Sequence, residues 1–224
     1  MDQDRPGRFI VLEGGDGAGR STQIRLLLPW LQSEGWAPLL VGLGRSALVP
    51  RAVRRLRRGR DTAVTATALI YAADLEHQAS GAVTRALGAG FTVVGDRWVT
   101  TAAARCTIRG ADPAWLRGIF PPEPRPDLSI HLQVPPRHRL EREITKRGRP
   151  TWTEAGRDLL SSDLARSFVR YQTLLDSQLA EIGPAQGRFC VLDGDGAVED
   201  VQRRLRRLVS KVLSGQGTKE AVDG

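Results

Sequence analysis

The chain has 224 residues, 41% of them hydrophobic and 26% charged, which suits one globular domain with a sizeable core. Aromatic residues make up 5%, which argues against a stacking surface for single-stranded nucleic acid, and no apolar stretch approaches membrane-spanning length. The net charge of +8 attracts polyanions, a property that suits nucleotide phosphates and nucleic acid alike.

Residues 9–12, Phe-Ile-Val-Leu, form a short apolar run that ends in a Gly-rich turn, the pattern of a buried strand feeding a loop. The turn, Gly14-x-x-x-x-Gly19-Arg20-Ser21, fits the phosphate-binding pattern G-x-x-x-x-G-K-[ST] at every fixed position except the lysine. Glycines there let successive N–H groups turn inward on an anion, and the following helix adds the partial positive charge of its N-terminus. The hydroxyl of Ser21 is placed for Mg²⁺. Arg20 keeps the cation as a planar fork in place of an ammonium. That leaves two readings, a working loop with an altered donor contact or a loop that binds nucleotide and turns it over poorly.

Residues 21–32 carry Ile24, Leu27, Leu28 and Leu31 at helical spacing, with Gln23 and Arg25 facing out. Residues 38–43 read as a second strand, completing a parallel strand-helix-strand unit. Pro50 opens a short basic helix that Gly59 ends, and Asp61 is placed to cap the next, whose apolar stripe is Ala68, Leu69, Ala72, Ala73 and Leu75. The arginines of 45–60 and 137–149 read either as solvated helix faces or as phosphate-facing groups. Residues 91–95 form a third strand, with Asp96 and Arg97 at its carboxyl end, where open parallel sheets gather ligands. Asp96 is thus a candidate for Mg²⁺ through water and Arg97 for a phosphate, the alternative being an ion pair that closes the strand.

Asp112 and Pro113 cap and open a helix through Leu116; residues 128–134 are a fourth strand, followed by Pro135, Pro136 and an arginine-rich helix. Residues 151–156 read as a connection, 159–179 as a helix, 189–192 as a fifth strand, and a basic helix runs to about Leu213. Residues 214–224 form a tail small and polar enough to fray. Cys106 and Cys190 lie far apart without a C-x-x-C, and no signal peptide precedes them, which leads us to expect a reducing cytoplasm. Cys190 reads as a buried small hydrophobe, and His77, His131 and His138 lack metal-ligand spacing.

Five ordered blocks together resemble the thymidylate kinase family over residues 8–213. They are FIVLEGGDGAGRSTQ, ALIYAAD at 68–74, VVGDRW at 93–98, RPDLSIHLQVPP at 125–136 and the arginine-rich stretch before Gly148, with VLDGDG similar to the loop near adenine. The resemblance implies an α/β P-loop NTPase fold, a five-stranded parallel sheet flanked by helices with an arginine-rich lid at about 142–156. It also implies one kinase domain over 1–213 that transfers phosphate from ATP to a nucleoside monophosphate, and a homodimer formed by helix packing.

By resemblance, Gly14, Gly15, Asp16, Gly17, Ala18, Gly19, Arg20, Ser21 and Thr22 hold ATP, with Arg142 and Asp195 beside it, and Ser21 and Asp96 hold Mg²⁺. Arg97 anchors the acceptor phosphate, Asp16 faces the acceptor sugar or stabilises its turn, and Arg142, Lys146, Arg147 and Arg149 supply lid charge. The departures cluster at the acceptor. The family's Arg-Glu-Pro-Gly-Gly loop is Gly42-Leu43-Gly44-Arg45-Ser46, the arginine after Ala-Asp is Leu75, and the Ser-Ser-x-x-Tyr-Gln segment runs from Thr101 through Arg105 to Cys106. Lost hydrogen-bonding groups lead us to expect inefficient use of dTMP, with Arg45 or Arg51 as relocated phosphate ligands. Two other readings are a kinase of another small metabolite and a nucleotide-binding regulator whose basic helices bind nucleic acid.

Overall fold

The structure, a computed structural model, describes residues 6–49, 51–52, 63–151, 155–156 and 163–215. Most of the basic helix expected from Pro50 to Gly59, of which only Arg51 and Ala52 are described and helical, the cap at Asp61, most of the 151–156 connection, Leu159 and the tail beyond 215 lie outside the described residues.

The five expected strands form within a residue or two of their apolar runs: β1 (Arg8–Glu13), β2 (Pro38–Gly42), β3 (Thr92–Asp96), β4 (Leu128–Gln133) and β5 (Phe189–Asp193). All neighbouring pairs are parallel, in the order β2-β3-β1-β4-β5. The helices are α1 (Arg20–Ser33), α2 (Val64–His77), α3 (Thr84–Gly88), α4 (Val99–Ile108), α5 (Pro113–Ile119), α6 (Pro136–Arg147), α7 (Leu164–Ile182) and α8 (Val198–Leu213). A π-helical segment, Gln78–Val83, joins α2 to α3.

The central strand sets the layers. Alternate residues of β1 face opposite sides, so Phe9 and Val11 join one core with α2 and α4, and Ile10 and Leu12 join the other with α1 and α8. All four are fully buried, and each contributes roughly 1.5–3 kcal/mol of transfer free energy. Register then fixes the site: Leu12 and Gly42 both pair with Asp96, so the ends of β1, β2 and β3 lie side by side.

Three readings of helix faces change. Gln23 is buried rather than outward, because its Nε2 donates to the Val198 carbonyl at the start of α8 (3.1 Å). Leu69 is 51% exposed and Ala73 is exposed; the buried stripe of α2 runs through Ala68, Tyr71, Ala72 and Leu75. Asp112 does cap α5, accepting from the Ala114 N–H at 2.9 Å. Burial pushes the thiol of fully buried Cys106 up to about 12 and that of half-buried Cys190 up to about 11.

Candidate active site

The loop after β1 turns over a buried arginine that periodicity does not show. Arg139 of α6 is fully enclosed; its guanidinium donates to the Gln172 side-chain oxygen (3.2 Å) and pairs with both oxygens of Asp176. A Cβ at Gly15 would lie 1.7 Å from Arg139 Nη1 and 2.3 Å from Gln172 Oε1, so only glycine fits over this support. Gly19 has φ 91°, a left-handed conformation that lets the chain enter α1. Its carbonyl accepts from the N–H groups of Thr22 and Gln23, both at 3.0 Å.

Arg20 is turned inward. Its Nη1 donates to the carbonyls of Gly14 and Gly15, both at 2.5 Å, and its Nε donates to Asp96 Oδ1 at 3.2 Å. Burial and the neighbouring Arg97 lower its pKa to about 10, against the opposing pull of Asp96 and Asp16, and it stays charged at neutral pH. The other oxygen of Asp96 accepts from Arg45 Nη2 at 3.1 Å. Burial raises the Asp96 pKa, but Arg20, Arg97 and Arg45 outweigh it and hold the group below the usual carboxylate range.

Asp16 is the second buried carboxylate. It accepts from Arg97 (2.5 Å), from Arg105 (3.1 Å) and from the Gln172 amide (3.3 Å), while its own N–H donates to Gln172 Oε1 (3.0 Å). Burial alone would raise its pKa, and the three arginines 97, 105 and 20 together depress it far below the ordinary value. Arg97 has φ 65°, rare for a residue with a side chain. Its N–H bonds the Leu12 carbonyl at 3.0 Å, and the next N–H, of Trp98, bonds Glu13 Oε1 at 3.1 Å. Glu13 is fully buried, also accepts from the Thr101 hydroxyl, and has a pKa raised by burial against those hydrogen bonds.

These groups open on one cavity of about 570 Å³. Asp16, Gly17, Ala18, Gly19, Arg20, Ser21 and Thr22 line one end; Leu43, Gly44, Arg45, Asp96, Arg97 and Arg105 line the other; Arg142, Glu143, Lys146, Arg147 and Thr151 stand over it. Arg142 donates to Asp195 at 3.0 Å, and His138 meets the same carboxylate at 2.7 Å, so α6 is tied to the loop after β5. Gly14 and Gly15 lie beneath the loop, outside the lining, and Arg149 is exposed and also outside it. Leu75 and Thr101 are not in the cavity wall. Leu75 is a core residue on the buried stripe of α2, and the Thr101 hydroxyl is consumed by Glu13. Among the described residues no cluster of three or more His, Cys, Asp or Glu is arranged to hold a metal on protein ligands alone.

Over residues 12–205 the chain matches the family model described as thymidylate kinase. The chain belongs to the thymidylate kinase family. It is 33% identical over 215 residues to the probable thymidylate kinase of Pyrococcus horikoshii, covering 93% of this chain and 98% of that protein. To the thymidylate kinase of Leifsonia xyli it is 32% identical over 219 residues, covering 91% and 94%. To the probable thymidylate kinase 2 of Saccharolobus solfataricus it is 26% identical over 208 residues, covering 92% and 97%. As a member of this family it is a nucleoside-monophosphate kinase with ATP as phosphate donor. Among the described residues no helix is long and apolar enough to cross a membrane.

Within this thymidylate kinase fold, sequence reading missed Glu13, Asp74, Gln78, Arg139 and Gln172, all buried polar groups; four hydrogen-bond backbone at the site, and Arg139 supports Gln172. A signal was present for three of them. Gln172 falls within the apolar stripe Phe168, Tyr171, Leu175 and Leu179, and Asp74 and Gln78 continue the stripe of Tyr71 and Leu75. A polar residue at a core-facing position must find a partner. Arg139 carried no such mark, because the buried face of α6 is itself polar, Arg139 and Glu143.

Proposed function

We propose that this protein transfers the γ-phosphoryl group of ATP to dTMP within the 570 Å³ cavity, with the phosphate loop as donor end and Leu43, Arg45, Arg97 and Arg105 as acceptor end. One observation carries the reading: a single continuous cavity joins a Gly-rich anion loop to a second cluster of guanidinium groups. Phosphoryl transfer needs two anions held in line with their developing charge neutralised, and this lining supplies that. The choice of dTMP, against the expectation drawn from Leu75 and Thr101, is supported by relatives named thymidylate kinase that align over nearly their whole length. It is supported also by the placement of Arg45 and Arg105 in the wall of the cavity.

In this reading the amides of Gly15 to Ser21 cradle the β- and γ-phosphates, with Arg20 beneath the loop as a fixed cation. An oxygen of the dTMP phosphate, oriented by Arg97 and Arg45, attacks the γ-phosphorus as the bond to the β-bridging oxygen breaks, and charge moves onto ADP. The acceptor is already an anion, so no protein base is required. Asp16 sets the two arginines and faces the acceptor sugar. Arg142, Lys146 and Arg147 of the lid over 142–156 offset the charge on the transferring group and exclude water, with Arg149 at its rim. Ser21 and Asp96 line the same cavity, and Asp96 has lone pairs beyond its two arginine contacts, so the pair fits Mg²⁺ held through water and phosphate oxygens. Bound there, the ion would neutralise β- and γ-oxygens. The whole unit is a single kinase domain over 1–213.

ADP release coupled to a panel of nucleoside monophosphates tests the assignment. We expect turnover highest with dTMP; efficient turnover with another monophosphate and none with dTMP would refute it.

A further inference from the structure

The loop at the acceptor end is held from behind by helix α2. The fully buried Asp74 carboxylate accepts the Gly44 N–H on one oxygen (2.5 Å) and the Ser46 N–H on the other (3.0 Å). Arg45 lies between those two amides, and its guanidinium reaches the other way, to Asp96 in the cavity wall. One helical turn further, Gln78 treats Gly42 as a strand neighbour would: its Oε1 accepts the Gly42 N–H and its Nε2 donates to the Gly42 carbonyl, both at 3.0 Å. The same amide donates to the Asp74 carbonyl at 3.2 Å, joining the two contacts into one clamp. Gln78 is also the first residue of the π-helical segment, a geometry found frequently at functional sites.

We propose that Asp74 and Gln78 are positioning residues for the acceptor, fixing the backbone of residues 42–46 so that Leu43 and Arg45 face the incoming monophosphate. The inference rests on the reading of this end as the acceptor end. Neither side chain lines the active-site cavity. Their effect passes through the loop, and a loop displaced by about 1 Å misplaces the charge that orients the nucleophile.

The test is steady-state kinetics of Asp74→Asn, Gln78→Met and Arg45→Ala, each with ATP and dTMP varied separately. Asparagine offers one acceptor oxygen where two amides need one each, and methionine fills the space of Gln78 without either contact to Gly42. We expect the KM for dTMP to rise roughly ten-fold in all three variants, with the KM for ATP within about two-fold of wild type. If Arg45→Ala raises the dTMP KM and the other two leave it unchanged, the clamp is overturned and the acceptor reading stands. If none of the three moves it, both are overturned. Equal rises in the two KM values for Asp74→Asn and Gln78→Met also overturn the clamp. Where Asp74→Asn fails to fold, Gln78→Met decides.

Discussion

Arg20 at the first turn of α1 and Asp96 at the end of β3 meet at 3.2 Å, and the same guanidinium closes on the Gly14 and Gly15 carbonyls. The residue that replaces the usual lysine thus serves as a brace across the base of the phosphate loop. From this geometry the charge is expected to matter more than the fork. Arg20→Lys is expected to retain kcat within about three-fold or raise it, whereas Arg20→Met should lower it by about 10²-fold or more. Single-turnover kinetics with ATP and dTMP separate the two outcomes, and collapse of the lysine variant would show that the site requires bidentate geometry.

Gly15 and Gly19 are both in the loop and should respond differently to alanine. At Gly15 the new methyl collides with Arg139 and Gln172, and displacing an enclosed ion pair is expected to lower stability by about 3 kcal/mol or more. At Gly19 nothing lies within 4 Å, and only the φ of 91° is strained, a cost of about 1–2 kcal/mol. Urea unfolding of the two variants, monitored by far-UV circular dichroism, measures the gap.

Asp16 links stability to acid. Its folded pKa lies below the ordinary 3.8, so beneath that value the unfolded chain binds a proton that the folded chain does not, and stability rises with pH there. The contribution is complete above 3.8 and is lost as pH falls toward the folded-state value. Asp16→Asn should flatten this acid limb and, with Arg97 and Arg105 stripped of their shared counter-charge, cost about 3–5 kcal/mol at neutral pH. Added phosphate should restore part of the loss by occupying the vacated anion position. Unfolding midpoints from pH 2 to 7, with and without phosphate, check both statements.

Glu13 carries the opposite sign. Burial places its folded pKa above the ordinary 4.5, so its favourable contribution is full below 4.5 and is lost as pH rises through the raised value. Glu13→Gln keeps an oxygen for the Trp98 N–H, and the Thr101 hydroxyl can turn to accept. Relative to wild type, the variant should gain stability between pH 5 and pH 8; a difference that does not change with pH would refute the assignment.

The strands were legible because each is a short apolar run cut off by a glycine, proline or aspartate, and a buried parallel sheet asks for little else. The phosphate loop, Asp96 and Arg97 were legible for a related reason: ligand groups in such sheets stand at carboxyl strand ends. Helix faces were harder to read. Polarity puts Gln23 on the solvent side of the 3.6-residue period, whereas it is buried against the Val198 carbonyl; Asp74 and Gln172 fall on apolar stripes, but their partners, backbone N–H groups of distant loops, leave no local mark. Leu69 fails in reverse, an apolar residue on the outer face of α2. That Leu75 and Thr101 lie outside the cavity wall was not legible, because alignment to a motif gives a position along the helix and no partner. Thr101 points to Glu13, 88 residues back in no local pattern but brought close by the β1–β3 pairing.

The state of the two thiols makes the proposed lid open to direct observation. Neither Cys106 nor Cys190 is appreciably ionised at neutral pH, since burial holds both well above it, so maleimide reagents will react slowly with the native chain. A cysteine introduced at exposed Arg149 would then take up a fluorophore selectively in the otherwise wild-type enzyme, and its emission would follow the lid as nucleotides arrive and leave.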